Sequence, residues 1–382
     1  MIDFDQYIRQ GERSKREKAS AWRTAIGLQA VDGLTVSDYL QETAQRHIEG
    51  EITIDEVKQL IKTYYEAKSK RTPDDEEKNE ADTVSSNITD ILSTRTLDFS
   101  THGLISLHRR IFTGVFSHAG KLRTYDISKN EWVLNGDSVT YLYWNDLHRA
   151  IDYDLEQERN FSYANLNQDD LIAHITKFVS GLWQIHPFSE GNTRTTAVFT
   201  IQYLRSIGFD VDNDLFEKNS WYFRNALVRA NYKNAQKGID YSPEYLERFF
   251  RNLLLGDKWE LRNRYLHINA TEEWQVQPNL NSPTQLTSDK YPTSNQQVPN
   301  KLQTYNPNID KLISIVGEQS LSVKEILSKI GLKDRVNLIK LYLEPAMKGG
   351  FLRLLYPNSP RHPKQRYLLT AKGLLYFTTN FK

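Results

Sequence analysis

Cysteine is absent from the 382 residues, which rules out disulfides, thiolate zinc sites and cysteine nucleophiles. An excess of either charge is also lacking. The 49 Lys and Arg stand against 48 Asp and Glu, so the whole molecule is no polyanion binder, although local patches remain open. No apolar run approaches membrane-spanning length, which speaks against a membrane partner. Met1-Ile2-Asp3-Phe4-Asp5 lacks the basic-then-apolar order of a signal peptide, and the expectation is a cytoplasmic protein. Proline is sparse except between 272 and 307, which holds five of the 12 prolines among Asn, Gln, Ser and Thr. That is linker composition. No internal repeat appears. What is present, 39% hydrophobic and 25% charged residues, suffices for two or three globular domains.

The chain divides by pattern into residues 1–70, 80–271, the 272–307 linker and 308–382. In the first part, Trp22, Ile26 and Ala30 mark a helix that stops near Gly33. Ser37 is placed to cap a second helix ending near Gly50. Thr53 and Glu56 have capping-box spacing ahead of Val57, Ile61 and Tyr65. This predicts a three-helix module. Lys68 to Asp82, dense in charge and containing Pro73, reads as a linker.

The central part is mainly α. Helical periodicity covers Val84–Leu92, Leu104–Phe116, Trp144–Glu158, Leu171–Gln184, Thr195–Ile207, Trp221–Lys233 and Pro243–Leu255. Tyr125 to Tyr143 is instead rich in β-formers around Asn135-Gly136, a two-residue hairpin signal. After the linker come helices at Leu312–Val316, Ser322–Ile330 and Arg335–Met347, then β-like stretches Phe351–Tyr356 and Gln365–Leu369. That order predicts a winged helix.

One segment concentrates chemistry: His186-Pro187-Phe188-Ser189-Glu190-Gly191-Asn192-Thr193-Arg194. It joins an apolar helix to the start of another. A glycine turn ahead of a helix presents free N–H groups and a positive dipole end to phosphate. Asn192 and Arg194 add donors, Glu190 offers the hard oxygen that magnesium requires, and His186 can exchange a proton near neutral pH.

This segment resembles the Fic family signature His-X-Phe-X-(Asp/Glu)-Gly-Asn-(Gly/Lys)-Arg-X-X-(Gly/Arg), matched at His186, Phe188, Glu190, Gly191, Asn192 and Arg194. The resemblance extends over 80–271. It implies an all-helical core with a β-hairpin flap and transfer of AMP from Mg-ATP to a Ser, Thr or Tyr hydroxyl of a target protein. By the same resemblance, His186 is the base and Glu190 holds magnesium. Gly191, Asn192, Thr193 and Arg194 cradle phosphate, while Tyr222 and Asn225 match nucleoside-pocket positions. Ile127, Ser128, Trp132 and Val133 belong to the flap that pairs with the target strand. Two positions depart from the pattern. Thr193 replaces Gly, and Ala197 stands where a second arginine would meet the γ-phosphate.

Residues 12–65 resemble VbhA-type antitoxins of Fic toxins, and Asp32 falls at the position of their inhibitory glutamate. The resemblance thus implies restraint of the enzyme by its own N-terminal module. Residues 308–382 carry thirteen Lys and Arg against five Asp and Glu, with Arg335, Lys340, Arg353, Arg361, Lys364 and Arg366 as candidate phosphate contacts on DNA. Other readings stay open: transfer of another phosphate-bearing group, removal of AMP, or a DNA-binding regulator whose central domain only senses nucleotide. Self-association is also open.

Overall fold

The computed structural model describes residues 4–68, 70, 72–94, 96–211, 214–270, 302, 304 and 306–382. Most of the linker expected between 272 and 307 lies outside these residues. The fold is mainly helical, with one small two-stranded sheet among the described residues.

The N-terminal helices are α1 (Phe4–Gln10), α2 (Arg13–Gly27), α3 (Asp38–Glu49) and α4 (Ile54–Glu66). Helix α2 runs into a 3₁₀ turn, Leu28–Asp32, that ends at Gly33 with φ 74°. Ser37 caps α3 by accepting from the Leu40 N–H, and α4 opens with the reciprocal Thr53–Glu56 capping box. Ala19, Trp22, Leu40, Ala44, Ile48, Val57, Ile61 and Tyr65 form a local core. The other face of α2 does different work, because Ala21, Ala25 and Leu28 belong to the main core of the molecule. The N-terminal helices are therefore packed into the central part.

The charge-rich stretch expected to be a linker is in fact the start of a long helix, α5 (Pro73–Ser93). Thr72 and Asp75 form its capping box, with Pro73 at the first turn. Asp74, Asp75 and Glu76 sit in that first turn, where carboxylates complement the helix dipole. What reads as a solvated charge run is a helix N-terminus. Asp82 of α5, fully buried, accepts from the Ser37 N–H (2.9 Å), the Ser37 hydroxyl (2.5 Å) and the Tyr65 hydroxyl (2.8 Å).

The central helices are α6 (Thr101–Phe112), α7 (Leu147–Asn160), α8 (Gln168–Ile185), α9 (Asn192–Ser206), α10 (Asp214–Ala230) and α11 (Glu244–Phe250), the last continuing as a π turn, Arg251–Leu255. Helix α9 is buried from Asn192 to Leu204 and forms the centre of the molecule.

The C-terminal unit has helices at Pro307–Val316, Val323–Ile330, and Arg335–Leu338 continued through Ile339–Leu343 and Glu344–Lys348. Strands β1 (Leu352–Leu354) and β2 (Tyr367–Leu369) pair antiparallel with Arg353 opposite Leu368. A final helix, Ala371–Phe381, capped by Thr370, was not anticipated from the sequence. This unit touches the end of α9, where the Lys372 N–H donates to the Ile207 carbonyl. Any Cβ at Gly208 (φ 100°) would lie 2.2 Å from the Gly350 carbonyl oxygen.

Candidate active site

His186 ends α8 in the left-handed region, at φ 50° and ψ 58°. That conformation turns the chain sharply out of the helix into Pro187. Arg123 holds the turn: its N–H donates to the Pro187 carbonyl (2.9 Å) and its Nε to the His186 carbonyl (2.8 Å). The imidazole is 2% exposed, packed against Tyr141 at 4.1 Å and edge-on to Trp183 at 5.2 Å. Neither ring nitrogen has a hydrogen-bond partner. Burial holds the imidazole well below its ordinary pKa, and the positive charges of Lys129, Arg123 and Arg224 add to the effect. His186 is thus neutral at physiological pH, the form in which it can accept a proton.

The loop that follows is rigid. Asn192 Oδ1 accepts from the Phe188 N–H (2.9 Å), and its Nδ2 donates to the Phe188 carbonyl (2.7 Å). This amide is committed to closing the turn rather than turned outward. Phe188 stacks on His108 at 3.8 Å. The Gly120 N–H donates to His108 Nδ1 at 2.8 Å, which fixes the tautomer. His108 Nε2 therefore carries the proton and donates to the Glu190 carbonyl at 3.1 Å. Gly191 has φ 73°, and any Cβ there would meet the Phe112 ring at 2.2 Å, so the turn requires glycine. The Thr193 hydroxyl accepts from Trp183 Nε1 at 3.0 Å. Glu190 itself is exposed. A lone carboxylate beside a helix N-terminus fits magnesium that shares a phosphate, since this ion is usually held by one or two carboxylates plus substrate oxygens.

Arg194 is 2% exposed and is surrounded by groups from three elements. Asp32 Oδ2 lies 2.7 Å from its Nε. Its Nη1 donates to Gln29 Oε1 at 3.0 Å, and its Nη2 donates to Glu80 Oε1 at 2.7 Å. The guanidinium also lies over the Phe112 ring at 4.8 Å. Ala197, one turn further on, is fully buried.

The segment expected as the flap reverses direction, but as a wider turn than Asn135-Gly136 alone suggests. A 3₁₀ turn covers Trp132–Leu134. The Glu131 N–H donates to the Asp137 carbonyl at 2.9 Å, and the Gly136 N–H returns to the Glu131 carbonyl at 3.0 Å. Asn135 and Gly136 both have positive φ. No strand is formed over 127–140, because Val133 and Leu134 are drawn fully into the core. Ser128 is exposed, Ile127 is half-buried, and Trp132 is 50% exposed with its ring 5.1 Å from His267.

Sequence reasoning missed Glu131. It is fully buried, pairs with Arg224 of α10 at 2.7 Å and accepts from the Tyr141 hydroxyl at 3.3 Å. It ties the flap to α10 and to the ring that packs on His186. Tyr222 and Asn225 lie in the interior of α10: the Tyr222 hydroxyl donates to the Tyr245 carbonyl (3.1 Å), and Asn225 Nδ2 donates to Asn263 Oδ1 (2.7 Å). Asn225 Oδ1 is left buried without a partner.

Residues 98–204 match the Fic/DOC family, and residues 307–370 match the domain described as Filamentation induced by cAMP protein Fic-like, C-terminal domain. The chain thus carries a Fic/DOC domain followed by a Fic-like C-terminal domain. Two curated relatives are similar to it. Protein adenylyltransferase VbhT of Bartonella schoenbuchensis is 25% identical over 181 residues, which is 44% of this chain and 37% of that protein. Probable protein adenylyltransferase y4lH of Sinorhizobium fredii is 28% identical over 145 residues, 35% of this chain and 65% of that one. In both cases the chain spans less than two thirds of the relative's length. A crystal structure of a Fic family protein from Desulfovibrio desulfuricans G20 aligns over 97% of this chain and 91% of that one, with 16% identity and a TM-score of 0.40. Among the described residues no helix is long and apolar enough to cross a membrane.

Proposed function

We propose that the protein transfers AMP from Mg-ATP to a Ser, Thr or Tyr hydroxyl of a target protein, and that its N-terminal module restrains this activity. The observation that carries the reading is the arrangement at the α8–α9 junction. A neutral histidine without a hydrogen-bond partner stands just ahead of a glycine turn and a helix N-terminus. The names of the two curated relatives agree with it.

In this reading His186 takes the proton of the target hydroxyl as its oxygen bonds to the α-phosphorus. The bond from that phosphorus to the bridging oxygen breaks, and pyrophosphate leaves. The first N–H groups of α9 stabilise the charge on the α-phosphate, as oriented donors at a helix start do. Asn192 acts through the loop it closes. Arg194 neutralises the leaving phosphates. Glu190 would hold magnesium, which supplies charge neutralisation between the phosphates when bound. Tyr222 and Asn225 would form the nucleoside end of the pocket, with the unpartnered Asn225 Oδ1 the group left to recognise a base. The flap, with Ile127, Ser128, Trp132 and Val133, would hold the target segment.

Restraint rests on Arg194. A guanidinium already paired with Asp32, Glu80 and Gln29 is not free to bind phosphate. Ala197 favours one variation: with no second arginine to meet a γ-phosphate, another phosphate-bearing nucleotide could serve as donor. Incubation with labelled ATP and other labelled nucleotides, compared with His186→Ala, tests the reading. Label transferred by the wild type and lost in the variant supports it. Transfer that survives in the variant counts against it.

A further inference from the structure

We propose that the C-terminal unit is a binding surface for double-stranded DNA, formed by the start of the 335–348 helix and the loop between β1 and β2. The first observation is charge segregation. Residues 308–382 carry a net charge of +8 in a chain whose total is +1, so the rest of the protein is net −7. Four of the five acids of this unit already have partners. Glu318 pairs with Lys382, and Glu325 pairs with Arg366. Asp310 accepts from the Tyr376 hydroxyl, and Asp334 caps the Val336 N–H. Glu344, exposed four residues after Lys340, is the one acid on the 335–348 helix itself. Arg366, anchored to Glu325 and to Ser320, is thereby withdrawn from the phosphate contacts expected from sequence.

The second observation is the shape of the exposed part. Lys333 just ahead of the helix and Arg335, Asn337 and Lys340 along its first half are exposed, while Leu338 and Leu343 turn inward to the unit's own core. Val336 and Leu341 on the same stretch are 68% and 46% accessible, large apolar side chains left open to solvent. The β1–β2 loop is an ordered turn, not a loose tail. Gln365 bonds the Tyr356 N–H and carbonyl, both at 2.9 Å, and Tyr356 packs on His362 at 4.1 Å. Exposed Arg361 and Lys364 project from this loop.

A helix of this kind fits the major groove of B-form DNA, where Arg and Lys meet phosphates or guanine and apolar side chains meet the thymine methyl. The groove of an RNA duplex is too deep and narrow to admit it. That commits the proposal to DNA rather than RNA.

Fluorescence anisotropy of the full chain with a labelled random duplex of about 20 base pairs at about 50 mM salt tests this. Four cations at phosphates give a log-affinity against log-salt slope of about −4. The pairs Arg335→Gln with Lys340→Gln, and Arg361→Gln with Lys364→Gln, are each expected to weaken binding at least tenfold and to reduce the slope by about two. Arg149→Gln and Lys62→Gln, exposed cations elsewhere, are expected to leave it unchanged. No binding at low salt would overturn the proposal. So would equal losses in the control variants, or equally tight binding of an RNA duplex or poly-glutamate. The readout involves no catalysis, so its outcome is independent of the proposed transfer activity.

Discussion

Asp32 Oδ2 lies 2.7 Å from Arg194 Nε, joining the end of an N-terminal 3₁₀ turn to the first turn of the buried helix α9. Glu80 supplies a second carboxylate to the same guanidinium from α5. Because Asp32 and Glu80 are 41% and 24% exposed, each pair is weaker than a fully buried one. Asp32→Asn or Glu80→Gln alone is expected to raise transfer by about fivefold, and the double change by more than either. Initial rates with labelled nucleotide check this. Unchanged rates in the double variant would remove the N-terminal restraint from the account.

His108 links two turns of the site, accepting from Gly120 and donating to the Glu190 carbonyl. His108→Phe keeps the stack on Phe188 but strands both partners. It is expected to cost about 2 kcal/mol in chemical denaturation. Burial pushes this imidazole down to about 4 in the fold, against 6.5 ordinarily. The folded state therefore keeps it neutral where the unfolded chain takes up a proton. Its contribution is full above pH 6.5 and is lost as pH falls toward 4. The stability gap between wild type and His108→Phe should shrink across that window.

Gly191→Ala would drive a methyl into the Phe112 ring at a positive φ. The expected loss is about 2–4 kcal/mol, read as a lowered melting temperature, together with loss of transfer. The same change at Gly33, where nothing lies within 4 Å, is expected to cost only the backbone strain.

Much of this was legible in the sequence because it is local. The caps at Ser37 and Thr53, the stops at Gly33 and Gly50, and the helix–loop–helix around His186 depend on residues within a few positions of one another. The second half of α5 is the helix expected over Val84–Leu92, but its first half reads as a linker because acidic residues at a helix start resemble a solvated run when their capping threonine is overlooked. Glu131 was invisible for a different reason: its partners Tyr141 and Arg224 are brought to it only by packing, and a glutamate in a turn carries no sign of burial. Gln29 and Glu80 on Arg194 were hidden in the same way. The final helix had a legible signal in Thr370 and Gly373, the hydroxyl of one accepting from the N–H of the other.

Glu131→Gln would leave Arg224 without its countercharge and loosen the flap beneath Tyr141. The expected cost is about 1.5–3 kcal/mol, with a fall in transfer larger than the loss of folded protein explains. Comparing denaturation curves with specific activity separates the two effects.

The most direct test of the central claim is the mass of protein substrates after incubation with nucleotide, magnesium and the Asp32→Asn, Glu80→Gln variant, with and without His186→Ala. The expected result is gain of an adenylyl group that disappears when His186 is removed, a fall of at least about 100-fold for a lost general base. An adenylyl gain that persists without His186, or no gain from the released variant with any nucleotide, would contradict it.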